Sequence, residues 1–203
     1  MMELGVLLSG NGTNLQAIID AIQEGALDAN IALVVASKPD AYGLKRAKTA
    51  GIPTLSLSNN DYTDPLAADR HIVQALQGAG ADYVAMAGYM RMVRQPLLSA
   101  FPNRIINLHP ALLPSFVGAH AIADAYDYGV KVTGVTVHFA NKDYDKGPII
   151  AQQPVVVEAE DTLESLEAKI HAVEHALYPQ ALQWVAEGRV ALGVDGKVRV
   201  KGI

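Results

Sequence analysis

Residues 4–15 read LGVLLSGNGTNL, in which a short apolar run is followed by a glycine-rich turn and the start of a second apolar stretch. Beyond the turn, apolar residues recur at intervals of three and four, as on one face of a helix: Leu15, Ile18, Ile19 and Ile22. A buried strand that turns through glycines into an amphipathic helix is the first unit of a βαβ fold. This stretch therefore predicts an α/β sheet with helices packed against it.

The same alternation continues through the first half of the chain. Further short apolar runs, bounded by turn residues and separated in several cases by helical spacing, lie at residues 31–37, 54–57, 83–87 and 104–108. Two longer apolar runs, residues 131–140 and 148–158, are separated only by the loop 141–147, which indicates an antiparallel pair. We predict an α/β fold with an open, Rossmann-like, mostly parallel sheet flanked by helices, and with antiparallel strands added in the C-terminal half.

The C-terminal part of the chain carries signals for one long helix and a hairpin. Either Asp161 or Thr162 is placed to cap the helix. We expect this helix to run to about residue 178, to break or kink at Pro179, and to resume as far as residue 188. An Asp-Gly dipeptide at positions 195–196 predicts a hairpin over about residues 189–201.

Composition excludes several classes of function. The chain has 203 residues and a net charge of −5, with no basic block for nucleic-acid binding. Cysteine is absent, which excludes a thiol nucleophile and thiolate metal sites. No apolar stretch reaches the length of a membrane span and the acidic N-terminus is unlike a signal peptide, so a cytoplasmic protein without membrane contact is expected. Because no repeat or linker interrupts the chain, residues 1–203 are predicted to form one domain.

The glycine-rich turn is a candidate phosphate site. Glycines let the backbone approach a ligand closely, and the free N–H groups at the start of the following helix attract anions. Leu15 stands where a dinucleotide-binding fingerprint requires its third glycine, and no P-loop lysine follows. These residues support a small phosphate cradle formed by Gly12, Thr13 and Asn14. The alternative is an ordinary strand-to-helix turn in which Asn14 caps the helix.

A second candidate site lies where the strand at residues 104–108 ends. Asn107 and His109 are two residues apart and would point to one side of that strand, and Asp145 follows in an acidic loop. Three such groups suffice for acyl transfer: an amide that donates to an oxyanion, an imidazole that carries charge and a carboxylate that orients the imidazole. No serine or cysteine nucleophile motif accompanies them, which favours direct transfer to an amine. Taken separately, each residue also has a structural explanation: Asn107 can cap the next turn, His109 can be a buried histidine and Asp145 can form a turn.

Two patterns resemble metal sites. The acidic loop resembles the start of a calcium loop, but its glycine falls one place late and Gln152 replaces the bidentate glutamate, which excludes calcium. His171, Glu174 and His175 match the H-x-x-E-H pattern of some zinc peptidases, and both histidines share one helix face. No third ligand stands out, so a zinc peptidase is kept as an alternative and no metal is predicted.

Several longer motifs make the chain similar to a known family. They are SGNGTNLQAI at residues 9–18, AGYMRMV at 87–93, INLHPALLPSF at 106–116, GVTVHF at 134–139, DKGPII at 145–150 and EHALYP at 174–179. Together they resemble the folate-dependent formyltransferases, and within them the branch that acts on glycinamide ribonucleotide in purine biosynthesis. The resemblance extends over about residues 4–190.

The resemblance implies a role for each motif. It assigns catalysis to Asn107, His109 and Asp145, and binding of the ribotide to Gly12, Thr13, Asn14 and Glu174. It assigns binding of the folate pterin to the backbone of Met90, Arg91, Met92 and Val93, together with Asn107. It further implies that the catalytic group is supported by Gly118, His120, Thr136 and His138. The first half, about residues 1–100, would then bind phosphate, and the second, about 101–190, would be catalytic and bind folate.

The reaction that the resemblance implies is attack of the glycinamide ribonucleotide amine on the formyl carbon at N10 of 10-formyltetrahydrofolate. The oxyanion of the tetrahedral intermediate would be held by Asn107 and a protonated His109. The expected partners are these two small molecules, and the expected state is a monomer or homodimer. Four positions depart from residues common in the family: Pro65, Ala68, Val117 and Ile122. A formyltetrahydrofolate hydrolase, a sugar-nucleotide formyltransferase and a non-catalytic ribotide-binding protein stay open as alternatives.

Overall fold

The computed structural model describes the whole chain, residues 1–203, as strands alternating with helices. The strands are β1 Met2–Leu8, β2 Ala29–Ala36, β3 Thr54–Ser56, β4 Tyr83–Met86, β5 Ile105–His109, β6 Val132–Phe139, β7 Ile149–Val156, β8 Val190–Leu192 and β9 Val198–Val200. The helices are α1 Thr13–Gln23, α2 Gly43–Thr49, α3 Pro65–Gly78, α4 Gln95–Ala100, α5 Ala121–Tyr128 and α6 Leu163–Ala186, and a short 3-10 turn spans Asp61–Thr63.

Seven of the strands form one sheet in the order β3-β2-β1-β4-β5-β6-β7. Strands β1 to β5 run parallel, and β6 and β7 are antiparallel additions. This confirms the predicted α/β fold with antiparallel strands in the C-terminal half. The chain extends the sheet first on one side of β1 and then on the other, so the strand order reverses between β1 and β4. Loops that leave the strands at such a reversal diverge and open a crevice.

Helices cover both faces of the sheet. On β1, Leu8 belongs to a core cluster of 31 buried residues that includes the inner faces of α1, α2 and α6. The neighbouring Leu7 belongs to a second cluster of 15 residues, which includes the inner faces of α3 and α4. Successive side chains of a strand point to opposite faces, so a nearly continuous apolar run such as β1 is buried on both sides. This explains why the parallel strands lack a polar alternation.

The long helix α6 begins as predicted but is not broken. Thr162 is its N-cap: the Thr162 hydroxyl accepts from the Ser165 N–H at 3.2 Å, and the Ser165 hydroxyl accepts from the Thr162 N–H at 3.0 Å. Of the break or kink expected at Pro179, the break is wrong, because α6 is one continuous helix through that residue. An interior proline costs about 3 kcal/mol, but Tyr178 and Leu182 beside it are fully buried. Each such side chain contributes about 1.5–3 kcal/mol on burial, which outweighs the cost.

The hydroxyl of Tyr178 ties α6 to the centre of the sheet. It lies 3.1 Å from the carbonyl oxygen of Met86 and 2.9 Å from that of Ile106, on β4 and β5. We expect Tyr178→Phe to lower the free energy of unfolding by about 1–3 kcal/mol, because the hydroxyl is lost from a site that water does not reach. Urea unfolding measures this change. Tyr128→Phe is the matched control, since Tyr128 is 80% exposed, and equal stability of the two variants would contradict the expectation.

Three helices were not anticipated from the sequence. Helices α2, α4 and α5 have seven, six and eight residues, which is too short for a helical period to stand out.

Strands β8 and β9 pair antiparallel around the Asp-Gly dipeptide that predicts a hairpin. Although α6 has 24 residues, neither it nor any other helix is long and apolar enough to cross a bilayer.

Candidate active site

A cleft of about 530 Å³ opens where the carboxyl ends of β1, β4 and β5 meet. It is lined by the glycine-rich turn, the predicted catalytic residues and a carboxylate of α6, namely Gly12, Thr13, Asn14, Asn107, His109, Asp145 and Glu174. A larger groove of about 850 Å³ lies between α1 and α6, but no predicted catalytic side chain lines it. The fold thus brings the two candidate sites of the sequence into one cleft.

Asp145 connects three segments of chain at the centre of this cleft. It lies in the loop between β6 and β7 with a left-handed backbone, φ 53°, which is uncommon for a residue other than glycine. Its side chain is only 3% exposed, and its Oδ2 accepts from the Gly118 N–H at 3.0 Å. The same Oδ2 lies 3.4 Å from Nδ1 of His109, and Oδ1 lies 3.4 Å from Nδ2 of Asn107. One carboxylate therefore fixes the relative positions of both other catalytic candidates.

His138 on β6 determines the orientation of the Asn107 amide. Its Nδ1 lies 3.0 Å from the carbonyl oxygen of Phe139, which can only accept, so Nδ1 carries the proton. Burial lowers the pKa of His138, and the neutral ring then presents Nε2 as an acceptor. That Nε2 lies 3.0 Å from Nδ2 of Asn107. Both amide hydrogens of Asn107 thus face acceptors, His138 and Asp145.

His109 is buried, and both of its ring nitrogens face acceptors. The Nε2 atom lies 2.8 Å from the carbonyl oxygen of Phe116, and Nδ1 lies 3.4 Å from Asp145. The Phe116 carbonyl can only accept, so Nε2 donates in that hydrogen bond. The 3.4 Å contact of Nδ1 with the Asp145 carboxylate is an ion pair when the imidazole carries two protons. Phe116 adopts a left-handed φ of 52° at this point. The segment between β5 and α5 therefore covers Nε2 of His109, a contact that no sequence pattern predicts.

The residues predicted to support the catalytic group differ in what they touch. Thr136 is buried, and its hydroxyl donates to the Ala111 carbonyl at 2.7 Å and accepts from the Leu113 N–H at 3.1 Å. It thereby holds the segment that follows His109. Gly118 bonds directly to Asp145, and His138 to Asn107, as described above. His120 lines the cleft and is exposed, and its imidazole forms no hydrogen bond within the chain.

The glycine-rich turn has the geometry of an anion cradle. Gly12 has φ 74°, and a Cβ there would lie 2.6 Å from the Cα of Gly43, so only glycine fits. Helix α1 begins at Thr13 without a side-chain cap, so Asn14 does not cap it. Instead, Nδ2 of Asn14 donates to Oε2 of Glu174 at 3.2 Å. The N–H groups of the first turn are left free for a ligand in the cleft.

Glu174 links this cradle to α6. It is buried, and its Oε2 also lies 2.7 Å from Nδ1 of His171. The rings of His171 and His175 stack at 6.3 Å between centroids, and no three His, Asp or Glu side chains of the chain are placed to hold a metal ion. The H-x-x-E-H pattern is therefore accounted for by a carboxylate held between a histidine and Asn14.

The hydrogen bond with Glu174 raises the pKa of His171, whereas burial lowers the pKa of His175. The raised pKa means that the contact stabilises the fold below the ordinary histidine pKa and is lost as pH rises through the raised value. We expect Glu174→Gln to bring the pKa of His171 down. An NMR titration of the histidine ring protons measures it, with Glu160→Gln as an exposed control; an unchanged His171 would contradict the expectation. Because the His171 side chain is 50% exposed, its contribution to stability is small.

A second wall of the cleft is formed by the segment between β4 and α4. Met90 and Met92 are exposed, Val93 is buried, and the Arg91 guanidinium lies 3.9 Å from the ring centroid of Tyr62. A small pocket of about 30 Å³ separates residues 91–93 from the catalytic candidates. The predicted folate-binding segment is therefore adjacent to the predicted catalytic group.

Sequence reasoning did not identify Asp69, a buried carboxylate on α3 that binds the end of this segment. A signal for it exists in the sequence. Asp69 lies three residues before Ile72 and seven before Leu76, so a charged residue occupies the apolar stripe of an amphipathic helix. The hydrogen bond between the Tyr62 and Tyr89 hydroxyls, at 2.9 Å, had no such signal.

Comparison with known proteins gives consistent matches. Residues 2–182 match the formyl transferase family. The phosphoribosylglycinamide formyltransferase of Bacillus subtilis is 40% identical over 183 residues, which are 90% of this chain and 94% of that protein. The trifunctional purine biosynthetic protein adenosine-3 of Homo sapiens is 41% identical over 97% of this chain. The chain spans only 19% of the length of that trifunctional relative.

Similarity in structure leads to the same group of proteins. The crystal structure of glycinamide ribonucleotide transformylase 1 from Symbiobacterium toebii matches with a TM-score of 0.95 at 48% identity. The match covers 98% of this chain and 94% of that one. By sequence and by structure, the chain belongs to the formyl transferase family.

Proposed function

We propose that the protein transfers the formyl group of 10-formyltetrahydrofolate to the amine of glycinamide ribonucleotide, giving formylglycinamide ribonucleotide and tetrahydrofolate. Membership of the formyl transferase family implies a folate-type formyl donor. The names of the bacterial relatives support glycinamide ribonucleotide as the acceptor. The observation that carries the proposal is the cleft in which Asp145 positions Asn107 and His109 beside an anion cradle.

The ribotide fits the side of the cleft formed by α1 and α6. Its phosphate would accept from the free N–H groups at the start of α1, where Gly12 allows close approach and the helix dipole favours an anion. Thr13 and Asn14 add side-chain donors there. Glu174, which already accepts from Asn14, would contact the ribotide beyond its phosphate. This arrangement directs the amine end of the ribotide toward Asn107 and His109.

The folate fits the opposite side. The segment of Met90, Arg91, Met92 and Val93 forms no backbone–backbone hydrogen bond of its own. Side chains occupy the Met90 N–H and the Met92 carbonyl, and the other amides and carbonyls of the segment can pair with the pterin. Asn107 and Asp145 line both the main cleft and the small pocket next to this segment. The formyl carbon on N10 would therefore lie between the two substrates and within reach of the catalytic group.

The reaction forms one C–N bond and breaks another. The amine attacks the formyl carbon, the carbonyl electrons move to oxygen, and a tetrahedral intermediate forms. Asn107 can donate to this oxyanion by giving up its 3.4 Å contact to Asp145, the longer of its two bonds, while His138 keeps the amide oriented. A protonated His109 donates as well, once the Phe116 carbonyl or Asp145 gives way to the oxyanion. Each such donor contributes about 2.7–4 kcal/mol to transition-state stabilisation.

The protons balance within the site. The attacking amine gives up one proton, and N10 of the folate gains one as its bond to the formyl carbon breaks. Asp145 can only accept hydrogen bonds while ionised, so it is suited to receive the amine proton through a water and to pass it on. With no serine or cysteine nucleophile in the group, transfer proceeds directly between the two substrates.

An absorbance assay tests the proposal. Purified protein is mixed with 10-formyl-5,8-dideazafolate, and release of the deformylated folate is followed with and without glycinamide ribonucleotide. Release that depends on the ribotide is the expected result. Release without the ribotide would instead identify a hydrolase, and no release under either condition would contradict the proposed function.

A further inference from the structure

Asp69 is a buried carboxylate that the proposed reaction does not use. It is 1% exposed and lies on the inner face of α3, between Ala68 and Ile72 of the second core cluster. Burial raises the pKa of Asp69, as expected for a carboxylate removed from water. A charged group in such a place is costly unless it forms a specific hydrogen bond.

The partner of Asp69 is the main chain of the segment that forms the second wall of the cleft. Its Oδ2 accepts from the backbone N–H of Arg94 at 2.8 Å. Arg94 is the residue before α4, and its guanidinium donates to the carbonyl oxygen of Met92 at 3.1 Å. The carboxylate therefore fixes the C-terminal end of residues 90–94. Arg94 in turn restrains Met92 through the hydrogen bond from its guanidinium.

The other end of the same segment is held by a second side chain. The backbone N–H of Met90 donates to the hydroxyl of Ser9 at 2.8 Å, and the Ser37 hydroxyl donates to Ser9 at 2.6 Å. Residues 90–93 form no backbone–backbone hydrogen bond. The side chains of Ser9, directly after β1, and of Asp69 on α3, rather than secondary structure, thus set the path of the segment.

We propose that Asp69 is a positioning residue that holds residues 90–94 in the conformation required to bind the folate-type formyl donor. The inference rests on the proposed function, since it takes this segment as the donor site. An ionised acceptor forms a stronger hydrogen bond with an N–H group than a neutral one. Asp69 contacts the segment from the core side, where it is buried, so Asp69 itself touches neither substrate.

The test compares Asp69→Asn with the wild-type chain in binding of 10-formyl-5,8-dideazafolate by isothermal titration calorimetry. Asparagine keeps the shape and an acceptor but removes the charge, so we expect Kd for the analogue to rise about tenfold. Kd for glycinamide ribonucleotide should stay unchanged, because its cradle lies on the other side of the cleft. Asp69→Ala should raise Kd for the analogue further if it folds.

Asp64→Ala is the matched control on the same helix. Asp64 caps α3 by accepting from the N–H groups of Leu66 and Ala67, at 3.0 and 3.1 Å, and does not contact residues 90–94. It should lower stability while leaving both dissociation constants unchanged. A loss of analogue affinity in Asp64→Ala as large as in Asp69→Asn would show that any weakening of α3 has this effect, and would overturn the specific role.

Hydrogen exchange gives a readout that is independent of activity. The Arg94 amide should exchange at least about tenfold faster in Asp69→Asn than in the wild type. Equal exchange and equal affinity for the analogue in both proteins would overturn the role of Asp69 alone. Failure of the wild-type chain to bind the analogue would overturn the proposed function, and with it this role in donor binding.

Discussion

Replacing His109 with alanine is expected to lower kcat for formyl transfer by about a hundredfold to a thousandfold. His109 is the imidazole of the proposed catalytic group, and it contacts the Phe116 carbonyl on one side and Asp145 on the other. Its removal takes away the proposed oxyanion donor and leaves the buried Asp145 carboxylate with only Asn107 and Gly118 as hydrogen-bond donors. The change should fall on kcat, because the ribotide cradle on α1 and α6 is untouched. Steady-state kinetics with both substrates varied separates kcat from the two KM values.

His71→Ala is the control for this variant. His71 is an exposed histidine on α3 that does not line the cleft, so its replacement should leave kcat unchanged. Because His109 is buried and its loss can also weaken the fold, thermal unfolding of both variants must show that they are folded at the assay temperature. A folded His109→Ala protein with kcat close to that of the wild type would exclude His109 from the chemistry.

Gly147→Ala is expected to destabilise the protein by about 3 kcal/mol and to abolish most of its activity. A Cβ at Gly147 would lie 1.6 Å from the backbone oxygen of Phe139 and 3.3 Å from Nδ1 of His138. A backbone oxygen inside the sheet cannot move aside as a side-chain end can, so the loop that carries Asp145 must shift. The shift also disturbs His138, which orients Asn107. Chemical denaturation measures the first effect and the formyl-transfer assay the second.

Gly78→Ala is the control for that substitution. Gly78 is the last residue of α3, and no atom lies within 4 Å of a Cβ placed there. Alanine at this position should leave stability unchanged or raise it by up to about 1 kcal/mol, because it restricts the unfolded chain and favours the helix. If Gly147→Ala were as stable and as active as Gly78→Ala, the steric account of the Asp145 loop would be wrong.

Both predictions concern one carboxylate. Asp145 contacts His109, Asn107 and the Gly118 N–H, and Gly147 is the residue that allows its loop to pass next to Phe139. The two substitutions therefore disturb the site from opposite directions. His109→Ala removes a group from an intact framework, whereas Gly147→Ala keeps every catalytic side chain and moves the framework.

Features that depend on near neighbours along the chain could be predicted from the sequence. Apolar runs and helical spacing predicted the parallel strands and the amphipathic α1, because burial of a face imposes a period on the residues that form it. The start of α6 was predicted to within one residue, at Asp161 or Thr162, since capping involves residues three apart. The two-residue spacing of Asn107 and His109 likewise placed both on one side of a strand, and both line the cleft.

Features that depend on distant partners could be seen only in the folded chain. The unbroken α6 at Pro179 reflects packing against the sheet, which the local cost of proline does not include. Asn14 binds Glu174 across 160 residues of chain, and the strand order brings their two helices together. The direction of the Asn107 amide and the restraint by Asp69 on residues 90–94 follow from side chains that meet only after the sheet has formed. Periods and caps are local, whereas hydrogen bonds of buried polar groups are chosen by whatever the fold places beside them.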